Sequence, residues 1–222
     1  MPVTTDLKRQ IASYTAVCGR FDVVDVPPLD YLMVDGHGDP NTSPAYRDAI
    51  ASIYPLAYGL KSLSKRELAR DHVVMPLEAL WWAADMAAFT AARDESRWQW
   101  TLMIMVPDWI TQAHLDSVRG AAGRKAGPVS ADVRLQRLEE GRCVQTLHVG
   151  SYDDEALVLA AMHEEFIPAH ALRMTGTHHE VYLSDARRTP PEKLRTILRQ
   201  PVTEAPHGPS RGVRAGGAKI TP

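Results

Sequence analysis

The chain has 222 residues, of which 45% are hydrophobic and 23% charged, with a net charge of −2. A chain of this length buries about 70% of its unfolded surface without help from a disulfide or a metal, and its two cysteines, Cys18 and Cys143, can build neither a disulfide framework nor a cysteine-rich zinc site. The near-neutral charge argues against a binder of phosphate backbones. With no signal-peptide pattern at the start and no long apolar run, the expectation is a cytoplasmic protein with no membrane segment and no direct nucleic-acid contact.

Residues 1–22 are mixed and polar and are expected to form a short helix or an arm. The first clear strand spans Asp30–Asp35 and is expected to close at Gly36-His37-Gly38-Asp39-Pro40, which is turn chemistry. A helix over about 44–61 follows: Ser43 can cap it, Pro44 suits its first position, and Ala45, Ala49, Ile53 and Leu56 recur at helical spacing. Pro55 is expected to kink or divide it. Strands are expected from His72 to Trp81 and from Trp98 to Val106, the latter apolar at nearly every position and so buried on both faces.

A second helix is expected from Trp109 to about Lys125, then a linker at Ala121–Pro128 and a hairpin, Val133–Leu138 and Cys143–Val149, turning at Glu139-Glu140-Gly141. The next helix, over about 153–168, starts near Asp153, with Asp154 and Glu155 in its first turn, where acids complement the helix dipole. His178–Asp185 reads as a period-2 strand, and Leu194–Gln200 suits either state. Residues 203–222, with four Gly and three Pro, are expected to be a disordered tail.

The order strand–helix–strand–strand thus occurs twice, over about 23–107 and 131–202. An α+β class follows, with two βαββ units forming a ligand cleft at their interface. Alternation places His178, Glu180 and Tyr182 on one strand face and His179, Val181 and Leu183 on the other. Glu180 is either a polar group facing a pocket or part of a solvated edge. Glu78 has the same character and shares a face with Trp82. Four tryptophans (Trp81, Trp82, Trp98 and Trp100) lie close together in the chain, either as core or as a box that stacks on flat ligands. His178 and His179 point to opposite faces and cannot share an ion. No HExxH, nucleophile elbow or complete dinucleotide loop occurs, so neither a metal nor a cofactor is expected.

The run Thr177-His178-His179-Glu180-Val181-Tyr182-Leu183-Ser184-Asp185-Ala186-Arg187-Arg188 and its continuation to Val202 resemble the C-terminal signature of GyrI-like small-molecule-binding proteins. Met75–Trp82, Trp98-Gln99-Trp100 and His148–Glu155 match the same family, and the resemblance covers roughly residues 15–202. Ser151 stands where the family pattern has Pro. The resemblance implies one domain over 23–202, a pseudo-twofold pair of βαββ units, and kinship with the effector-binding domains of multidrug-responsive activators. Long stand-alone members resemble hydrolases that open the cyclopropane of yatakemycin- and duocarmycin-type compounds. It further implies Glu180 and Tyr182 as catalytic residues and Glu78, Trp81, Trp82, Trp100, Tyr152 and His178 as ligand-binding residues, for a small aromatic or polycyclic ligand. Sequestration of such a ligand without reaction is the alternative.

Overall fold

The computed structural model describes residues 3–83 and 95–206. Its framework is a nine-stranded sheet, with strands β2 (Asp22–Val26), β3 (Leu29–His37), β5 (Leu77–Trp82), β6 (Gln99–Val106), β7 (Arg134–Leu138), β8 (Gly141–Val149), β9 (Leu172–Met174), β10 (His178–Tyr182) and β11 (Arg195–Glu204). A short parallel pair, β1 (Thr4–Thr5) and β4 (Asp71–His72), stands beside it. The helices are α1 (Pro44–Glu67), α2 (Gln112–Ala122), α3 (Glu155–Ala160) and the short α4 (Ile167–Ala169).

The sheet order is β2-β8-β11-β10-β5-β6-β3-β7, with β9 on β11, and every pairing in it is antiparallel. One unit is β3-α1-β5-β6 and the other β8-α3/α4-β10-β11; they meet where β5 pairs with β10. The expected α+β class and twofold element order are both present. Each unit also carries an extra first strand that pairs with the other unit: β2 with β8, and β7 with β3.

That exchange corrects the expected hairpin. The strands over 134–149 exist, but β7 is an end strand and β8 lies next to the opposite end of the sheet, so they do not pair. Asp22 opposite Gln145 and Leu29 opposite Leu138 belong to one continuing register, interrupted at Pro27-Pro28 and Glu139-Glu140. Two long strands, each bent at its middle, run side by side. Paired prolines cannot donate to a ladder, and the bend turns Glu140 inward, where its side chain is only 4% exposed.

Other boundaries shift for local reasons. β3 runs on to His37 because Gly36 lies opposite Trp100 and the indole occupies the space a β-carbon would fill. Helix α1 continues through Pro55 to Glu67, its stripe Ala49, Ile53, Leu56, Leu60 and Leu63 fully packed. Proline leaves the carbonyl four residues earlier without an amide, and against that Ala51 carbonyl presses Gly127, at φ +95°. The strand expected from His72 to Trp81 is broken by Val73–Pro76. β11 extends to Glu204, and Ala205 N–H donates to the Ala171 carbonyl, so residues 203–205 are not part of a disordered tail; the rest of that expectation, over 207–222, lies outside the described residues.

The two faces of the sheet differ. On one face α1 covers β3 and β6, while Met162 and Ile167 cover Val144 and Leu198. On the other face residues 13–15 close over the sheet: Tyr14 donates to Glu78, Arg199 to the Ser13 carbonyl and Gln145 to the Thr15 carbonyl. Residues 3–22 are therefore not a loose arm. Part of the segment is core, and Thr4 fastens its start to Asp71, which Lys61 also holds.

Candidate functional site

Antiparallel partners point to the same side, so register sorts the chemistry. Opposite Trp81 and Ala79 on β5 stand His178 and Glu180 on β10, and this is the helix face. Glu78, Leu80 and Trp82 share the other face with His179 and Val181.

On the helix face Tyr182 Oη donates to Glu180 Oε2 at 2.7 Å, and Trp81 Nε1 donates to Tyr182 Oη at 3.0 Å. Glu180 Oε1 lies 3.4 Å from His178 Nε2. Aromatic rings frame this chain. Tyr46 of α1 stacks on Trp81 with centroids 6.2 Å apart, Trp98 meets Trp81 edge-on at 5.6 Å, and Tyr152 meets Tyr182 edge-on at 5.8 Å. The floor is thus the β5–β10 seam, and the walls come from the start of α1 and the approach to α3. Burial and then Glu180 push the Tyr182 hydroxyl well above its ordinary range, so it remains a donor at neutral pH. Burial, Glu155 and Glu180 push Tyr152 up to about 12.

Five of the residues that the resemblance implied come together here: Glu180, Tyr182, Trp81, Tyr152 and His178. Three do not. Trp100 shares the face but is fully buried, roofed by Tyr46 at 5.1 Å and bonded through Nε1 to the Gly38 carbonyl. Trp82 points to the opposite face, where its Nε1 donates to Gln99, and lines an open cavity of about 910 Å³ with Asp35, His37, Trp98, Gln99 and Arg134. Glu78 is fully buried on that opposite face, accepting from Tyr14 Oη at 2.5 Å and from His179 Nε2 at 2.9 Å.

Glu78 belongs instead to a sealed ionic network. His179 Nδ1 donates to Glu140 Oε1 at 2.9 Å; Arg199 donates to Glu140 Oε2 at 2.9 Å and to Gln145 Oε1 at 3.2 Å. Burial opposes the charge on His179, but Glu140 and Glu78 outweigh it and raise its pKa to about 9. Burial likewise opposes ionisation of Glu140, yet His179 and Arg199 hold it at about 2. This network ties the residue between His178 and Glu180 to three other segments, which fixes the strand that carries the site.

A model of the GyrI-like small molecule binding domain matches residues 20–203. The chain belongs to the GyrI-like family. Among solved structures, an uncharacterised conserved protein from Listeria innocua is 37% identical, with 90% of this chain and 100% of that one covered at a TM-score of 0.82. A protein from the same organism described as a hydrolase is 36% identical, with the same coverage and a TM-score of 0.78. The EcmrR C-terminal domain, 11% identical over 84% of this chain and 98% of that one at a TM-score of 0.52, shares the fold. No curated protein gives a significant match. Among the described residues no helix is long and apolar enough to cross a membrane, and no group of three or more potential ligands could hold a metal.

Two residues of this GyrI-like site carried no sequence signal strong enough to find them. Tyr46 enters as the third residue of α1, on a helix whose apolar stripe marks only its sheet-facing side. His163 stands over His178, with ring centroids 6.1 Å apart and planes at 80°.

Proposed function

We propose that this GyrI-like protein binds flat aromatic small molecules between α1 and α3 and hydrolyses cyclopropanoid compounds of the yatakemycin and duocarmycin type, with Glu180 as general base. The observation that carries the reading is the state of the Glu180 carboxylate. Tyr182 holds one oxygen at 2.7 Å, and the other is turned toward His178 within walls of indole and phenol. A carboxylate oriented in this way takes the proton of a water. The water oxygen forms a bond to the cyclopropane carbon, the strained carbon–carbon bond breaks, and its electron pair moves through the conjugated ring onto the carbonyl oxygen. The phenolate that results is protonated, so the product is substrate plus water, with no oxidant, reductant or cofactor needed. The hydrolase among the Listeria relatives supports a hydrolytic member of the family close in sequence.

Binding without reaction is the second reading. It is favoured by the two carboxylates, Glu180 and Glu155, that both act on the Tyr152 hydroxyl; acid groups among aromatic rings suit a flat cation. Glu180→Gln separates the two. In single-turnover hydrolysis of a cyclopropanoid, followed by mass spectrometry, the base reading expects a loss of about 100- to 10,000-fold with binding retained. Turnover at the wild-type rate refutes the base. Loss of binding in an intact fold moves the assignment to recognition.

A further inference from the structure

His163 owes its position to a defect in the helix. Pro168 has no amide and crowds the carbonyl four residues back, which belongs to Glu164. The helix widens into a π-helical turn over Ala161–Phe166, closed by the Ile167 amide on the Met162 carbonyl. Such turns gather at functional sites. Here the turn sinks Met162 into the small core with Val144 and Leu198 and leaves His163 against His178.

Three ring nitrogens of these imidazoles are without a hydrogen bond, although His178 Nε2 lies 3.4 Å from Glu180 Oε1. His163 Nε2 and both ring nitrogens of His178 are buried and make no hydrogen bond, and the His178 side chain is only 10% exposed. A buried polar atom left in this state is destabilising, and native structures keep few of them without a reason. Burial, and then His178, hold the His163 pKa at about 4, so the ring is neutral at neutral pH and carries one N–H.

Two donors on the β5–β10 seam are already committed within the site. The only hydroxyl hydrogen of Tyr182 goes to Glu180, and the only N–H of the Trp81 indole goes to Tyr182. Neither is free for a ligand oxygen. We propose that His163, seated on His178, donates a hydrogen bond from Nε2 to the carbonyl oxygen of a flat conjugated ketone bound beside Glu180. In the hydrolytic reading, on which only this step rests, that oxygen is where negative charge collects as the cyclopropane opens, so the bond strengthens toward the transition state. The base and the oxyanion donor then come from different elements, β10 and the π-helical turn.

Three flat tricyclic probes test the subsite without any reaction: fluorene, 9-fluorenone and carbazole, titrated by tryptophan fluorescence. Wild-type protein should prefer fluorenone to fluorene by about five- to tenfold, the worth of one net hydrogen bond. His163→Phe should erase that preference while leaving fluorene affinity unchanged, and His163→Gln, which keeps a donor, should retain part of it. Equal affinities in the wild type, a preference that survives His163→Phe, stronger binding of carbazole, or binding of none of the three each overturn the proposal. The test is independent of the Glu180 assay: hydrolysis without carbonyl preference removes the subsite and leaves the function, and carbonyl preference without hydrolysis does the reverse. Where hydrolysis occurs, His163→Phe should lower kcat far more than it raises KM.

Discussion

Replacing Arg199 by Met probes the sealed network most directly. The guanidinium has no exposed surface and makes three kinds of contact: Glu140 at 2.9 Å, Gln145 at 3.2 Å and the Ser13 carbonyl at 2.7 Å. Met fills much of the volume but donates nothing. Glu140 keeps His179, yet the cluster then holds two buried carboxylates against one cation. Removing one partner of a buried ion pair typically costs about 3–5 kcal/mol. At about 2–4 °C per kcal/mol for a chain of this size, the melting temperature should fall by roughly 6–20 °C. Urea unfolding followed by tryptophan fluorescence gives the free energy, and an unchanged m-value certifies that the unfolded state is the same. The charge argument makes a sharper demand. Adding Glu140→Gln to Arg199→Met restores neutrality, so the double variant should be more stable than the two single losses predict, by at least about 1 kcal/mol. A loss below about 1 kcal/mol for Arg199→Met, or strict additivity in the double variant, refutes the view that buried charge balance holds this face together.

The same network sets a pH dependence. His179 is raised to about 9, so its contribution is complete below its unfolded value near 6.5 and is lost as pH climbs through 9; Glu140 is lowered to about 2, so its contribution is present above about 4.5 and lost as pH falls through 2. Unfolding free energy should therefore decline by up to about 3 kcal/mol between pH 6.5 and 9.5, and denaturant melts that are flat over that interval would contradict it. Gly36→Ala should drive a β-carbon into the fully buried Trp100 ring, costing about 1–3 kcal/mol by overpacking. Because Tyr46 touches both Trp100 and Trp81, the variant should also shift the tryptophan emission of the site; wild-type stability and spectrum would show that the contact yields easily.

Parity was legible in the chain, and depth was not. Period 2 correctly separated Glu180 from His179 and Trp81 from Trp82, and it correctly grouped Glu78 with Trp82. How deeply each residue is covered is decided elsewhere, by where α1, the π-helical turn and residues 13–15 come down, and that depends on contacts between distant segments. Glu78 is thus sealed, closed by Tyr14 from a segment too polar to read as core, although Trp82 on the same face lines an open cavity. Trp100 shows the same limit one layer up: it lies on the right face, but Tyr46 covers it. Adjacency in sequence suggested a hairpin over 134–149, because nothing local announces that Pro27-Pro28 and Glu139-Glu140 bend two strands around each other. The expected helix over 153–168 omitted its π-helical turn, although Phe166-Ile167-Pro168 already denied Glu164 an amide.

The exchange of first strands between the two halves has a consequence for synthesis. β2 emerges from the ribosome early, but its partner β8 belongs to the second half of the chain. At ordinary elongation rates the wait is on the order of 10 s. Through that interval the three valines of β2 have no strand to pair with, and the inner face of the first unit is incomplete, with Glu78 lacking His179. The first half cannot complete itself as a nascent chain. An unpaired strand edge is a template for the wrong partner, so the burden of protecting it falls on whatever holds nascent chains until β8 arrives.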